Sequence, residues 1–189
     1  MDTTSTWGTY SPQKNSALIR TLIASGLVRG KLKRSVISYW QRRFGNLVDI
    51  EVRGIQYRLN LENNVTDCKI LAQAREYDAL ELNALKAACR SKVFVDIGAN
   101  IGYYALAIAK AGAEKVLAIE PNPPTLERLR YNIEINRMDD QIKVLPIGIG
   151  EEGSFDLFSS GDLGSASLLE IPGANTVKTT ITTHRLPAV

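Results

Sequence analysis

Cysteine, histidine and long apolar runs are what this 189-residue sequence has least of. Its two cysteines, Cys68 and Cys89, are too few and too far apart for a disulfide framework. Neither belongs to a CxxC pair or a Cys/His cluster of the kind that holds zinc. Reduced thiols in a cytoplasmic protein are therefore expected, with no metal. The single histidine, His184, stands near the C-terminal end, where a lone imidazole is more often a surface group than a general base. No apolar stretch approaches the roughly 20 residues of a membrane-spanning helix. The opening MDTTSTWGTYSPQKNS lacks the charged-then-apolar layout of a secretory signal. Internal repeats and low-complexity tracts are missing too. What remains is ordinary globular composition, 44% hydrophobic and 23% charged, enough for one core and a small appendage.

The charge is unevenly placed. Residues 1–45 carry eight basic side chains against Asp2 alone, a net of +7, and the remainder is at −4. Within this basic arm Leu18, Leu22, Val28, Leu32, Val36 and Trp40 recur at or near four-residue spacing, the pattern of an amphipathic helix broken near Gly26 and Gly30. Such a helix suits an anionic membrane surface, nucleic acid or a targeting function. The plainer expectation is an extension that packs on its own domain or on a second copy, because basic faces on helices are commonly just solvated. Residues 1–45 are thus read as an arm, and 46–189 as the main domain.

After the arm, LVDIEVRGIQYRLNLENN alternates in two runs, Val48, Ile50, Val52 and then Ile55, Tyr57, Leu59, Leu61. Arg53-Gly54 between them predicts a β-hairpin. DCKILAQAREYDALELNALKAACR has the helical period, with Ile70, Leu71, Leu80, Leu82 and Leu85 as expected core. From Val93 the pattern becomes strand, glycine loop, helix, strand, helix, strand, through KVFVDI, YYALAIAKAG, EKVLAIE, NPPTLERLRYNIEIN and QIKVLPIGI. Asn122 and Pro123 make a helix N-cap and first turn. Strands and helices alternating at these lengths predict right-handed crossovers and a parallel sheet. GSFDLFSSGDLGSASLLEIPG then reads as an inserted hairpin, and TVKTTITTHRLPAV as one more strand.

The loop Gly98-Ala99-Asn100-Ile101-Gly102, after a strand ending in an acid and before a helix, is a nucleotide-binding start. A dinucleotide fingerprint needs a third glycine that is missing here. Asp96, two residues before the first glycine, opposes a pyrophosphate but suits the ammonium group of S-adenosylmethionine (SAM). Glu120, closing the second strand, can accept the ribose hydroxyls of either cofactor. Each of these acids alone has a bland alternative, a helix cap for Asp96 and a solvated strand end for Glu120. Together on one βαβ unit they point to SAM.

These residues resemble the FkbM-type SAM-dependent methyltransferases of the class I methyltransferase superfold. FVDIGANIGYY, the EPNP after the second strand and the NIxxN near the end of the next helix carry the likeness, which covers about residues 48–187. It implies an α/β, Rossmann-like sheet, with the N-terminal arm and hairpin added. By position it implies that Asp96, Gly98, Ala99, Asn100 and Gly102 cradle the methionine end of SAM. Glu120 would hold the ribose, Pro121 and Asn122 would shape the adenine side, and Gly148 and Ile149 would flank the adenine. Tyr77 and Asp78 fall where the family has Tyr-Glu, so Asp78 departs from the pattern. The resemblance implies O-methylation of a sugar or small-metabolite hydroxyl. It supplies no catalytic base that can be named. It also implies a seven-stranded sheet of which only the first three strands are recognisable here, which leaves three readings open: a truncated or fragmentary product, a sheet completed by another chain or in a homo-oligomer, or a non-catalytic SAM-fold interaction module. Some tRNA-modifying enzymes share the loop and an N-P-x-x-x-x-x-L-x-x-N helix. A nucleic-acid partner is nevertheless expected to be absent, because aromatic and basic residues do not interleave as a base-stacking surface would.

Overall fold

The computed structural model describes residues 1–12, 30–62, 65–72, 78–159, 166–169 and 177–186. Two compact units divide the chain, Met1–Leu80 and Glu81–Val189.

In the first unit, helix α1 (Gly30–Phe44) leads into strands β1 (Leu47–Val52) and β2 (Ile55–Asn60), followed by helix α2 (Val65–Ala72). The expected earlier part of the arm, including Leu18, Leu22 and Val28, lies outside the described residues. Of the later apolar positions in α1, Trp40 is buried, whereas Leu32 is exposed. The hairpin forms as read. Arg53 and Gly54 both take positive φ, 54° and 75°, the geometry that lets a two-residue turn match the twist of its strands. Val48, Val52, Ile55, Tyr57 and Leu59 fill the core.

The other hairpin face is not left to solvent. Asp49 and Arg58 pair across the strands and are both fully buried, with Nε 2.7 Å from Oδ1. A strap formed by residues 1–10 covers them. A buried ion pair is tolerated only when its remaining lone pairs and protons find partners. Here Asp49 Oδ2 accepts from the Gly8 and Tyr10 amides at 2.7 and 3.1 Å. The Arg58 guanidinium donates to the Ser5 carbonyl and hydroxyl, both at 2.9 Å, and to the Thr6 carbonyl at 3.0 Å.

The second unit takes up helix α3 (Ala79–Ala88) from Glu81 onward. It continues with β3 (Val93–Ile97), α4 (Tyr103–Lys110), β4 (Lys115–Ile119), α5 (Pro123–Ile135) and β5 (Ile142–Leu145). β3, β4 and β5 form a parallel sheet in that order. Then β6 (Gly148–Ile149), β7 (Gly153–Ser159) and β8 (Val177–His184) make a second sheet, with β8 central, parallel to β6 and antiparallel to β7. This is the α/β, Rossmann-like arrangement expected, with a partial parallel sheet.

Two local readings need correction. The single helical run before Val93 is two helices, and Leu80 is 89% exposed rather than core. The physical reason is angular: Leu82 is the buried residue of α3, and residues two apart point to nearly opposite sides of a helix. The inserted hairpin is also closed differently. β7 pairs with β8, and within residues 153–173 only a bridge between Phe158 and Ser167 forms among the described residues. The β7–β8 pairing adds a cross-strand ion pair, Lys178 to Asp156 at 2.7 Å.

The partial sheet leaves a mark. β3 pairs with β4 on one edge, and no strand among the described residues pairs with the other. Val93, Val95 and Ile97, alternating along one face of β3, are 62%, 43% and 53% exposed. The opposite face is covered, and α4 buries Tyr103, Ala105, Leu106, Ala107, Ile108 and Ala109. Chemical denaturation tests this asymmetry. Leu106→Ala is expected to cost about 2–5 kcal/mol, whereas Val93→Thr on the open face should stay within about 0.5 kcal/mol. Comparable losses would show that the β3 face is covered in solution.

Candidate cofactor site

The site begins where β3 ends. Gly98 and Ala99 donate their amides to the Ile119 carbonyl at 2.9 and 3.0 Å, which ties the loop to the end of β4. Asn100 then takes φ 50°, and its amide donates to Glu120 Oε2 at 2.9 Å. The other oxygen, Oε1, accepts from the Asn122 amide at 2.9 Å. One carboxylate therefore joins the glycine loop to the start of α5. Glu120 is not the solvated strand end of the bland alternative; it is buried.

Asp96 meets its own bland alternative halfway. Its Oδ2 accepts from the Ala105 amide at 3.0 Å, inside the first turn of α4, where an acid satisfies an otherwise orphaned helical donor. That single bond does not offset its burial, which pushes the Asp96 carboxyl up to about 6. Burial also raises Glu120, against the opposing pull of the Asn122 and Asn100 amides, with the neighbouring Asp96 charge adding to the rise. Two carboxyls held away from water, with no cation between them among the described residues, form a site suited to a positively charged ligand.

The two loop glycines have different tasks. Gly102, at φ 90°, is pressed against α5, and a Cβ there would lie 2.8 Å from Leu129 Cδ1. Gly98, at φ 77°, faces open space, with nothing within 4 Å of where a Cβ would stand. Of the two, only Gly98 has open room beside its backbone. Asn132, which sequence reasoning noted in a motif but did not place in the site, donates from Nδ2 to the Ile101 carbonyl at 3.0 Å while fully buried. Asn136 Nδ2 in turn donates to the Asn132 carbonyl at 2.7 Å. The signal was present in N-P-x-x-x-x-x-L-x-x-N: Asn122 caps α5, Pro123 opens it, Leu129 meets Gly102 and Asn132 holds Ile101.

Asp96, Gly98, Ala99, Asn100, Gly102, Glu120 and Asn122 are thus brought together, with Pro121 between the last two. Gly148 and Ile149 lie in β6, in register with Thr183 and His184 of β8. Tyr77 lies outside the described residues, and Asp78, half-buried at φ 47°, belongs to the first unit. His184 sits at the end of β8, 3.9 Å from Glu152. Among the described residues no cluster of metal-ligating side chains occurs.

Two stability measurements follow. Because the Asp96 carboxyl titrates at about 6 in the fold against 3.8 when unfolded, the native state holds its proton more tightly. That stability is complete below about pH 4 and lost as pH rises through 6. Asp96→Asn keeps an acceptor for the Ala105 amide, so it should raise the melting temperature above pH 6 and have no effect near pH 4. An unchanged melting temperature at pH 8 would mean Asp96 is not desolvated. Separately, Gly102→Ala should destabilise more than Gly98→Ala. Both carry the left-handed penalty of about 1–2 kcal/mol, and only the former also meets Leu129.

Comparison with known proteins follows the same residues. The TRM5/TYW2 methyltransferase domain family matches residues 54–151, just over half of the chain. The ribosomal protein L11 methyltransferase of Carboxydothermus hydrogenoformans is 44% identical over 68 residues, 35% of this chain and 22% of that protein. A tRNA(Phe) (4-demethylwyosine(37)-C(7)) aminocarboxypropyltransferase of Pyrococcus horikoshii is 29% identical over 128 residues, 66% of this chain and 42% of that one. A solved transferase structure from Pyrococcus horikoshii superposes with a TM-score of 0.45 at 22% identity, covering 61% of this chain and 48% of that one. The chain spans less than half the length of these curated relatives. Two expectations are overturned. The FkbM resemblance is not supported, since the matching family is another one. The small-molecule or sugar acceptor, with nucleic acid set aside, is contradicted by relatives named for tRNA. The reason is physical: the acceptor was inferred from a glycine loop and two acids, a nucleotide-binding pattern that carries no information about what receives the methyl group. The class of domain and its cofactor, SAM, stand, and the chain belongs to the TRM5/TYW2 methyltransferase domain family.

Proposed function

We propose that this chain supplies the cofactor-binding part of a SAM-dependent methyltransferase that modifies tRNA in the cytoplasm. The observation that carries the reading is the seating of the glycine loop on α5. Leu129 and Asn132 support Gly102 and Ile101 from below, while Asp96 and Glu120 line the loop from the strand ends. The N-P-x-x-x-x-x-L-x-x-N pattern thereby has a structural task in a chain that belongs to the TRM5/TYW2 methyltransferase domain family and has relatives named for tRNA. Cys68 and Cys89, both unbridged, support the cytoplasmic setting. No helix among the described residues is long and apolar enough to cross a membrane.

The residues fit the cofactor in kind. Asp96, half-buried and with no cation beside it among the described residues, accepts the ammonium group, which restores its charged form. Glu120 spends one lone pair of each oxygen on the loop and helix amides and has the others for ribose hydroxyls. Gly98 leaves its open side to the methionine end, with the Ala99 and Asn100 backbone beside it. Pro121 and Asn122 bound the adenine on one side, Gly148 and Ile149 on the other. When bound, SAM supplies an electrophilic methyl carbon next to a positive sulfur. The chain's contribution is to orient that carbon and to exclude water from it, which is where most of the acceleration of an in-line displacement arises.

Calorimetric titration of the whole chain with S-adenosylhomocysteine tests the reading. Binding should be weakened at least about tenfold by Glu120→Ala and by Asp96→Asn, roughly 1.4 kcal/mol or more. The Asp96 variant is the cleaner control, because it is expected to fold more stably than the parent. No binding by folded parent chain would overturn the cofactor site. In parallel, SAM labelled in its methyl carbon should pass label to a tRNA transcript. Label passing only from the carboxyl carbon would instead favour aminocarboxypropyl transfer, as in the Pyrococcus horikoshii relative.

A further inference from the structure

A cavity of about 290 Å³ opens in the first unit, away from any role in the glycine loop. Tyr10, Ser11 and Pro12 of the N-terminal strap line it on one side, and Trp40, Arg43 and Phe44 of α1 on the other. Its walls are held in place. The buried Asp49–Arg58 pair fastens the strap through Gly8 and Tyr10. The Arg58 guanidinium lies 4.9 Å from the Tyr10 ring centroid, and the Tyr10 hydroxyl donates to Asp2 at 2.7 Å. On the helix side Trp40 packs on Phe44 with ring centroids 4.9 Å apart.

Two features of this cavity ask for a ligand. Trp40 is 1% exposed, and its indole Nε1 has no hydrogen-bond partner among the described residues. Buried donors in folded proteins are nearly always satisfied, so an orphan lining a cavity invites an acceptor. Arg43 is exposed, stands 5.6 Å over the Phe44 ring, and has no carboxylate partner among the described residues. Aromatic rings, an N–H donor and a guanidinium together match one kind of ligand well. A nucleotide has a flat π-face, carbonyl and ring-nitrogen acceptors, and a phosphate. A carboxylate ligand would engage the arginine and gain nothing from the rings. The volume lies at the lower end of ordinary small-ligand clefts, about 300–1,000 Å³, which suits a single nucleotide. The site also lies in the basic N-terminal stretch of the chain, residues 1–45 at a net +7.

We propose that this cavity takes one nucleotide of the RNA substrate, its base against Tyr10 and Phe44, an acceptor of that base on the Trp40 N–H, and its phosphate on Arg43. The proposal rests on the tRNA reading and extends it to a second contact point outside the cofactor site. It also answers why aromatic and basic residues look poorly interleaved: Tyr10 joins Trp40, Arg43 and Phe44 only once the strap has folded back.

The test uses the whole chain with Trp7→Phe, which leaves Trp40 as the one indole, saturated with S-adenosylhomocysteine to close the cofactor site. Uridine 5′-monophosphate and a tRNA transcript are the two probes, read by Trp40 emission, with filter binding for the transcript. Both should change the emission saturably. Arg43→Ala should weaken both about tenfold and lower the salt dependence of tRNA binding by about one phosphate contact. If tRNA binds while Trp40 emission and the Arg43 variant show no effect, the nucleotide site is overturned and the tRNA reading stands. If the mononucleotide responds and tRNA does not bind, the pocket is a nucleotide site and the tRNA reading fails. If neither binds, both fall. Should Trp7→Phe fail to fold, the salt dependence of parent against Arg43→Ala, an exposed position, decides alone.

Discussion

The second unit depends on the Glu120 carboxylate. It ends β4 and faces two chain segments that would otherwise have little reason to meet, the loop after β3 and the start of α5. Each of its oxygens takes one amide, from Asn100 and from Asn122. Asn100 is held in the left-handed region, a conformation that needs an external anchor in a residue with a side chain. Glu120 provides it. The same bonds make burial of the acid tolerable, and they point its remaining lone pairs in directions the protein does not use. One carboxylate thus fastens the loop to the start of α5 and fixes the loop's shape.

Asp96 works by the opposite logic. It is buried with less compensation, and its charged form is disfavoured as a result. That cost is borne by the fold, and a cation placed beside the carboxyl would relieve it. Helix α5 completes the design from below. Leu129 occupies the space that a side chain at Gly102 would need, and Asn132 satisfies the Ile101 carbonyl. A smaller side chain at either position would leave a void or an orphaned polar group at the base of the loop.

In the first unit a fully buried ion pair has the comparable role. Asp49 and Arg58 sit on the hairpin face that the alternating pattern assigns to solvent, and the strap is what removes them from it. Nearly every donor and acceptor of the pair is spent on strap backbone. The pair is therefore less a source of stability than a device that specifies one position for residues 1–10. The aromatic and cationic groups around Trp40 come together as a consequence.

Much of this was legible in the residues. Period-two runs around Arg53-Gly54 defined a hairpin, because a glycine-containing two-residue turn readily takes the positive φ values that match the twist of its strands. The alternation of apolar strands and helices from Val93 onward defined a parallel sheet, and Asp96, Gly98 and Glu120 stood out as candidates because each lies at a fixed distance from a strand end. These are local properties, set by backbone sterics and side-chain period. Tertiary structure decided the rest. Leu80 is exposed because its helix buries only the side that carries Leu82. Gly102 and Gly98 read alike in sequence, yet one packs on Leu129 and the other faces open space. β7 found β8 across a long connection, and Arg58 found Ser5 and Thr6 more than fifty residues away. Contacts between distant segments depend on which surfaces folding brings face to face. The acceptor was illegible for a related reason: a glycine loop with two acids is a local nucleotide-binding pattern, which the sequence determined, and such a pattern leaves open what is modified.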